Sequence, residues 1–293
     1  MHLTMKKPNK KRVLIVSVLV ILCIGIWTLW GNTAIEVNEY EIVSDRIQQG
    51  FDGFRIAQVS DLHNAEFGEG NEKLIHLLSQ TDPDVIVITG DLIDSRHTDI
   101  EIALDFARQA IKIAPVYYVS GNHEARVRDY EDLKIGLVEA GVVILENQKV
   151  QITREGESIT LMGIDDPSFQ EDYLFGDSGS VARQAIENLQ NESDGYTVLL
   201  SHRPELFDLY VDTGMDLVLT GHAHGGQFRL PFVGGLVAPN QGFFPKYDAG
   251  QFTENTTTMI VSRGVGNSII PLRFNNRPEI VLLTCYRTHR QTY

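Results

Sequence analysis

The chain of 293 residues has only two cysteines, Cys23 and Cys285, too few for a disulfide scaffold or a zinc site built on thiolates. Positive charge is also scarce. Five of the 25 lysines and arginines lie before position 13, and the 20 that remain face 39 acids, so residues 13–293 carry a formal charge of −19. A body that acidic repels a phosphodiester backbone, and no nucleic-acid partner is expected. No stretch rich in Pro, Gly or Ser divides the body, and no repeat or low-complexity tract is visible. With 43% hydrophobic and 22% charged residues the composition is globular, and stability must come from a buried core.

Charge is absent altogether from residues 13–30, VLIVSVLVILCIGIWTLW, a run of 18 positions. A helix of that length spans about 27 Å, close to the roughly 30 Å hydrocarbon core of a bilayer. Lys6, Lys7, Lys10, Lys11 and Arg12 precede it. The positive-inside rule then makes residues 1–12 a basic cytoplasmic tail and carries Gly31 onward across the membrane. A cleaved signal peptide competes with an uncleaved anchor. The run is longer than the ~7–15 apolar residues usual in a signal peptide, and Trp-Thr-Leu-Trp-Gly-Asn-Thr-Ala offers no A-x-A cleavage site, so an anchor with an extracytoplasmic body is expected. Residues 31–50 read as a membrane-proximal lead-in and 51–293 as one domain.

Beyond residue 54, short β-branched runs alternate with helix-like stretches. Strands are expected at 55–60, 85–89, 116–120, 159–163, 198–201, 217–220, 258–262 and 280–285, and helices at 71–79, 100–111, 129–140, 181–189 and 204–210. This is the pattern of an α/β domain with strands buried in a sheet. The polar clusters Asp61-Leu-His63, Gly90-Asp91-Leu-Ile-Asp94, Gly121-Asn122-His123-Glu124, His202 and Gly221-His222-Ala-His224 each follow an expected strand. Ligands of open α/β sheets bind outside the carboxyl ends of the strands, so these five segments should converge. Five of the nine histidines occupy this one slot. Carboxylate, amide and imidazole ligands without thiolate suit Mn, Fe or Zn. The set is large enough for two divalent ions roughly 3.5–4 Å apart, which can share a hydroxide and a phosphate oxygen, and that is phosphoryl chemistry. Gly90, Gly121 and Gly221 precede ligands at turns where a missing Cβ permits close approach.

The ordered set D-x-H, G-D-x-x-D, G-N-H-E, H, G-H-x-H, running from Asp61 to His224, resembles the calcineurin-like metallophosphoesterase family. The following Gly225-Gly-Gln-Phe-Arg-Leu-Pro231 is similar to its membrane-associated bacterial branch. The resemblance implies a four-layer αββα sandwich with a dinuclear metal centre. In that centre Asp61, His63 and His224 would bind one ion, Asp91 would bridge, and Asn122, His202 and His222 would bind the other. It further implies that His123 is not a ligand but protonates the leaving-group oxygen, with Asp94 fixing its tautomer. Glu124 reads equally as a structural cap or as catalytic. Some exported members of the branch begin with a twin-Arg signal; here the basic stretch Lys-Lys-Pro-Asn-Lys-Lys-Arg has no adjacent Arg pair, and general secretion is the simpler expectation.

Arg203 and Arg229 are candidates to meet a phosphate, while Arg96, Asp165 and Asp166 follow strands without an assigned role. Between residues 225 and 250, Phe228, Phe232, Val233, Leu236, Phe243, Phe244 and Tyr247 supply more apolar surface than a solvated loop needs. Beside an anchor, that suggests a lipid-linked or other amphiphilic substrate; a phosphorylated small molecule is the other expected partner. The expected activity is hydrolysis of a phosphomonoester, phosphodiester or pyrophosphate by metal-activated hydroxide at a membrane-tethered domain. The alternative is a noncatalytic binding module that keeps metal as a staple, which would need the ligands but not His123.

Overall fold

The computed structural model describes residues 9–170, 178–190, 195–267 and 269–288; the first eight residues of the basic tail lie outside the described residues. Helix α1 (Lys10–Thr33) opens on Asn9, whose side chain accepts a hydrogen bond from the Lys11 amide at 3.1 Å. It is apolar on every face, and its aliphatic side chains lie exposed along its length, as in a helix whose partner is lipid. Its far end is tied to the body. The Asn32 side chain donates to the Arg273 carbonyl (2.8 Å) and accepts from the Arg273 amide (2.7 Å), while the Arg277 guanidinium sits 4.7 Å from the Trp30 ring centre.

Two six-stranded sheets form the body. The first contains β1 (Glu36–Ser44), β2 (Phe54–Val59), β3 (Val85–Thr89), β4 (Val116–Val119), β5 (Val143–Ile144) and β16 (Glu279–Arg287), in the order β1-β16-β2-β3-β4-β5. The second contains β6 (Gln148–Arg154), β7 (Glu157–Gly163), β8 (Thr197–Leu200), β9 (Leu217–Thr220), β14 (Gly250–Glu254) and β15 (Thr257–Val261), in the order β14-β15-β9-β8-β7-β6. Between β9 and β14, two small hairpins pair β10 (Arg229–Leu230) with β11 (Gly234–Gly235) and β12 (Val237–Ala238) with β13 (Gly242–Phe243).

Alternation along each central strand explains the layering. On β3, Val85 and Val87 face the inter-sheet core with Val198, Leu200, Leu217, Leu219, Val281 and Leu283, whereas Ile86 and Ile88 face outward. The outward residues pack under α2 (Glu72–Gln80), α3 (Ile100–Ala110) and α4 (Tyr130–Ala140). On the second sheet, Met162, Leu199, Val218 and Met259 pack under α5 (Ser178–Gln190) and α6 (Phe207–Asp212). Strands covered on both faces read as continuous apolar runs, which is why β3 and β9 fall where the sequence places them, to the residue. The result is helix, sheet, sheet, helix: the αββα sandwich that was expected.

Residues 31–50 are a correction. They contain β1, which pairs in parallel with β16 over its whole length, so the segment expected to be a lead-in supplies an edge of the first sheet. Its sequence EVNEYEIVS interleaves polar residues (Glu36, Asn38, Glu39, Glu41, Ser44) because only part of it is covered, and that masks a strand read by apolar runs. A fragment starting at residue 36 keeps this edge and should unfold cooperatively. One starting at residue 51 bares the edge of β16 and should melt roughly 10 °C lower or aggregate, which thermal circular dichroism would show.

Candidate metal centre

The strand ends deliver the side chains. Asp61 and His63 follow β2, Asp91 and Asp94 follow β3, Asn122 and His123 follow β4, His202 follows β8, and His222 and His224 follow β9. All are buried. Asp61, His63, Asp91, His222 and His224 have positive φ, between 46° and 66°, a conformation costly for residues with a Cβ and one that concentrates at functional sites. The chain approaches itself closely here. A Cβ on Gly221 would fall on Ser60 Oγ and Asp61 Oδ2, and one on Gly121 would fall on Asp91 Oδ1.

Six of the seven expected ligands form two groups that share Asp91. Asp61, His63, Asp91 and His224 make one, and Asp91, His202 and His222 the other. His63 Nε2 lies 3.2 Å from His224 Nε2 and 3.5 Å from Asp91 Oδ2, and His224 Nε2 lies 3.3 Å from Asp61 Oδ1. On the other side, His202 Nε2 lies 3.2 Å from both Asp91 Oδ2 and His222 Nδ1. Donors held about 2.1 Å from a common tetrahedral or octahedral ion lie roughly 3.0–3.5 Å apart, so the spacing fits two ions with Asp91 between them. Asn122 Oδ1 is buried without a hydrogen-bond partner, as a ligand oxygen would be.

Electrostatics point the same way. Burial works to raise Asp61 and Asp91, yet the imidazoles beside them, His224 for Asp61 and His202 for Asp91, hold both below the usual carboxylate range. Burial likewise opposes charge on His202, but Asp91 pushes it up to about 10. The pocket demands cations, and protons compete with metal for it. His202 Nδ1 lies 2.6 Å from the Thr89 carbonyl, to which it donates, leaving the Nε2 lone pair free for an ion. Burial and then the Arg203 guanidinium hold His222 well below the ordinary imidazole value, in its neutral, ligating form.

Three expected roles meet different surroundings. Asp94, expected to hold His123, has Oδ1 3.8 Å from His123 Nδ1 and instead gives both oxygens to Arg96. Burial works to raise Asp94, and Arg96 holds it at about 2. His123 Nδ1 accepts the Ser95 amide at 3.0 Å, with Ser95 Oγ at 3.2 Å, and this puts the proton of the neutral ring on Nε2. Arg203 is buried rather than open to a phosphate. Its Nε and Nη2 bind Asp166, and Nη1 lies 3.1 Å from His222 Nε2. Arg229 donates to the Gly225 carbonyl (2.9 Å) and to Asp248 (3.0 Å), closing the loop that carries it. In each case a carboxylate of the protein itself claims the cation before any ligand does.

Glu124 is a clamp. Its Oε2 accepts the Asp91 and Gly121 amides at 2.9 and 2.7 Å, and its Oε1 accepts the Ile93 amide at 3.2 Å, joining the loops after β3 and β4. A sixth strand-end loop, after β15, went unnoticed in the sequence. Its Val265 and Gly266 amides donate to the Ser60 and Asp61 carbonyls at 3.0 and 2.7 Å, and Gly264 packs on the Asp61 side chain. The signal was Arg263-Gly-Val-Gly266 in the same slot as the other motifs.

The comparisons with known proteins agree with this geometry. The family model described as calcineurin-like phosphoesterase matches residues 54–226. YkuE of Bacillus subtilis, an uncharacterized metallophosphoesterase, is 30% identical over 261 residues, covering 87% of each chain. Phosphodiesterase YaeI of Escherichia coli is 30% identical over 235 residues, covering 78% of this chain and 81% of that one. The solved structure of the protein TT1561 from Thermus thermophilus matches at a TM-score of 0.50 and 17% identity, over 73% of this chain and 90% of that one, and so shares the fold.

The groups packed around the ligands can be tested without metal. Glu124→Gln turns one acceptor into a donor facing an amide, and should cost about 1–3 kcal/mol of stability in the metal-free protein, measured by urea unfolding. Asp165 is raised to about 7, first by burial and then by Glu146. It therefore contributes stability that is full below the usual carboxylate range and is lost as pH rises through about 7. Asp165→Asn should melt above the wild type at pH 8, and the difference should vanish near pH 4.

Proposed function

From the premise that the chain belongs to the calcineurin-like phosphoesterase family and is a metal-dependent phosphoester hydrolase, we propose a dinuclear enzyme tethered to a membrane by α1, its body extracytoplasmic. The observation that carries the dinuclear reading is the ion-sized spacing of buried donors on both sides of Asp91. Asp61, His63, Asp91 and His224 would hold one ion and Asp91, Asn122, His202 and His222 the other. Bound Mn, Fe or Zn would supply Lewis-acid charge for the phosphoryl oxygens and lower the pKa of water.

The protein's own groups do the rest. The Asp91 carboxylate is oriented by the His123 amide, which donates to its Oδ1 at 2.8 Å, and Asp61 by the Ser60 hydroxyl at 2.6 Å, so the ligands are set before substrate arrives. His123 would present Nε2–H to the leaving-group oxygen; with Nδ1 accepting the Ser95 amide the ring is neutral, so it can pass a proton on only as the imidazolium, with Nδ1–H turned to Ser95 Oγ 3.2 Å away. Asp94 positions it indirectly, by fixing the Ser95–Arg96 turn. The substrate is a phosphorylated molecule met at the membrane surface, a reading supported by the anchor and by the exposed aromatic residues Phe232, Phe243 and Phe244.

The test is His123→Ala in the full-length chain loaded with Mn, assayed on aryl and alkyl phosphodiesters and monoesters. The variant should keep about two ions per chain and lose roughly 10²–10⁴ in kcat. The loss should be larger for an alkoxide leaving group, which needs a proton, than for p-nitrophenolate, which does not. Equal losses for both would remove His123 as the acid. A wild type that holds two ions yet is inert on every phosphoester would favour the binding module with a metal staple.

A further inference from the structure

Against the metal cluster opens a crevice of about 250 Å³ lined by His224, Gln227, Val237, Ala238, Pro239, Ile269 and Ile270. Its walls are fastened to the loop that carries His224. Gln227 donates through Nε2 to the Ile270 and Leu272 carbonyls at 2.8 and 2.6 Å. Asn276 in turn donates to the His224 and Gln227 carbonyls at 2.7 and 3.2 Å. On the Val237 side, β12 is paired with β13, and Ala238 is buried in the outer core of the second sheet.

The chemistry of the lining selects its occupant. Among the described lining residues the walls are aliphatic apart from His224, which belongs to the Asp/His cluster, and Gln227, whose amide nitrogen is already spent on the wall itself. A sugar or nucleobase placed there would leave its polar groups unpaired, whereas a hydrocarbon chain loses nothing. At the crevice Ile269 is 76% exposed, and on β13 Phe243, paired with the lining residue Val237, is 80% exposed with Phe244 beside it; the same loop region exposes Phe232 and Val233, more apolar surface than a solvated loop carries. The same wall continues through Leu272 to Arg273, which Asn32 at the end of α1 grips by its backbone. The crevice therefore lies on the side of the body where the membrane helix arrives.

We propose that this crevice is the tail site for a lipid phosphoester: the hydrocarbon chain lies between Val237–Pro239 and Ile269–Ile270 while the phosphoryl group reaches the Asp91 cluster beside His224. This rests on the phosphoesterase reading and names its substrate class. The exposed aromatic rim enters the headgroup layer, so that a chain passes from the bilayer into the crevice without crossing water.

The experiment uses the full-length chain in phospholipid nanodiscs, loaded with Mn, and p-nitrophenyl alkyl phosphodiesters from methyl to dodecyl. In the wild type kcat/KM should rise about two- to fourfold per methylene until the crevice is filled, then level off. Partitioning into the bilayer raises the rate with chain length for any protein, so the decisive quantity is the long-to-short ratio in Ile270→Glu and, independently, Val237→Asp, each with its melting temperature and metal content measured. A ratio at least tenfold below that of the wild type supports the tail site. A ratio unchanged in both folded variants overturns it while leaving the phosphoesterase reading intact. Binding of non-hydrolysable alkylphosphonates of the same lengths, read by calorimetry, separates the two readings: chain-length-dependent binding without any hydrolysis keeps the tail site and removes the enzyme, and binding indifferent to length removes the tail site.

Discussion

Asp61 and Asp91 end the central strands β2 and β3 with their side chains almost completely out of water, and a buried carboxylate is tolerable only when opposite charge and hydrogen-bond donors surround it. Much of the molecule answers that demand. The His222 amide donates to Asp61 and the His123 amide to Asp91, and four imidazoles close around them. Five residues take the left-handed backbone needed to turn those donors inward, and Gly121 and Gly221 give up a Cβ so that the turns can meet. Glu124 locks two of the turns together. Strain and charge stored in this way favour the state in which cations occupy the cluster.

The two sheets each carry only part of the proposed ligand set. The first supplies Asp61, His63, Asp91 and Asn122; the second supplies His202, His222 and His224. Their register is held across the sandwich by Gln58, which donates to Thr89 Oγ1 and to the Thr220 carbonyl at 2.9 and 2.8 Å, one strand-end residue from each sheet. The apolar inter-sheet core thus ends, at the carboxyl side, in a polar seam from which all ligand loops leave. Sliding one strand by a single residue would exchange its inward and outward faces and destroy both the core and the cluster.

How much of this was legible depends on what each residue has to satisfy. Strands buried on both faces must be apolar throughout, so β3 and β9 were read to the residue, and the motifs that follow them named the metal cluster. Edge strands carry no such requirement. The polar β1, the alternating β6 (QKVQITR) and the exposed β14 (GQFTE) escape a reading by apolar runs because one face of each is open. Roles that depend on which of several near neighbours wins a hydrogen bond were also out of reach. Asp94 could serve His123 or Arg96, and the adjacent guanidinium wins; Arg203 could meet a phosphate or Asp166, and the buried carboxylate wins. Ser95, whose amide caps His123, acts there chiefly through its backbone, and backbone leaves no mark in a sequence motif.

Helix α1, long and apolar enough to cross a membrane, is joined to the Asp/His cluster through the same kind of contact. Asn32 fixes Arg273 by its backbone, and the Arg273 guanidinium, fully buried, donates to the Arg263 carbonyl at 2.8 Å and to the Gly266 carbonyl. Gly266 donates its amide to the Asp61 carbonyl, 2.7 Å away. Burial lowers the Arg273 guanidinium to about 10, still far above neutral pH, so it stays charged and keeps its donors. Arg273 and Gly266 thus link Asn32, at the end of α1, to the backbone of Asp61 in the buried Asp/His cluster. A tether of this kind does more than raise the local concentration of enzyme at a membrane, which a flexible linker would do equally well. With α1 in a bilayer, as proposed, it would fix the angle at which the Asp/His cluster and the crevice beside His224 face the membrane, and a site that must accept its substrate from one direction has use for that constraint.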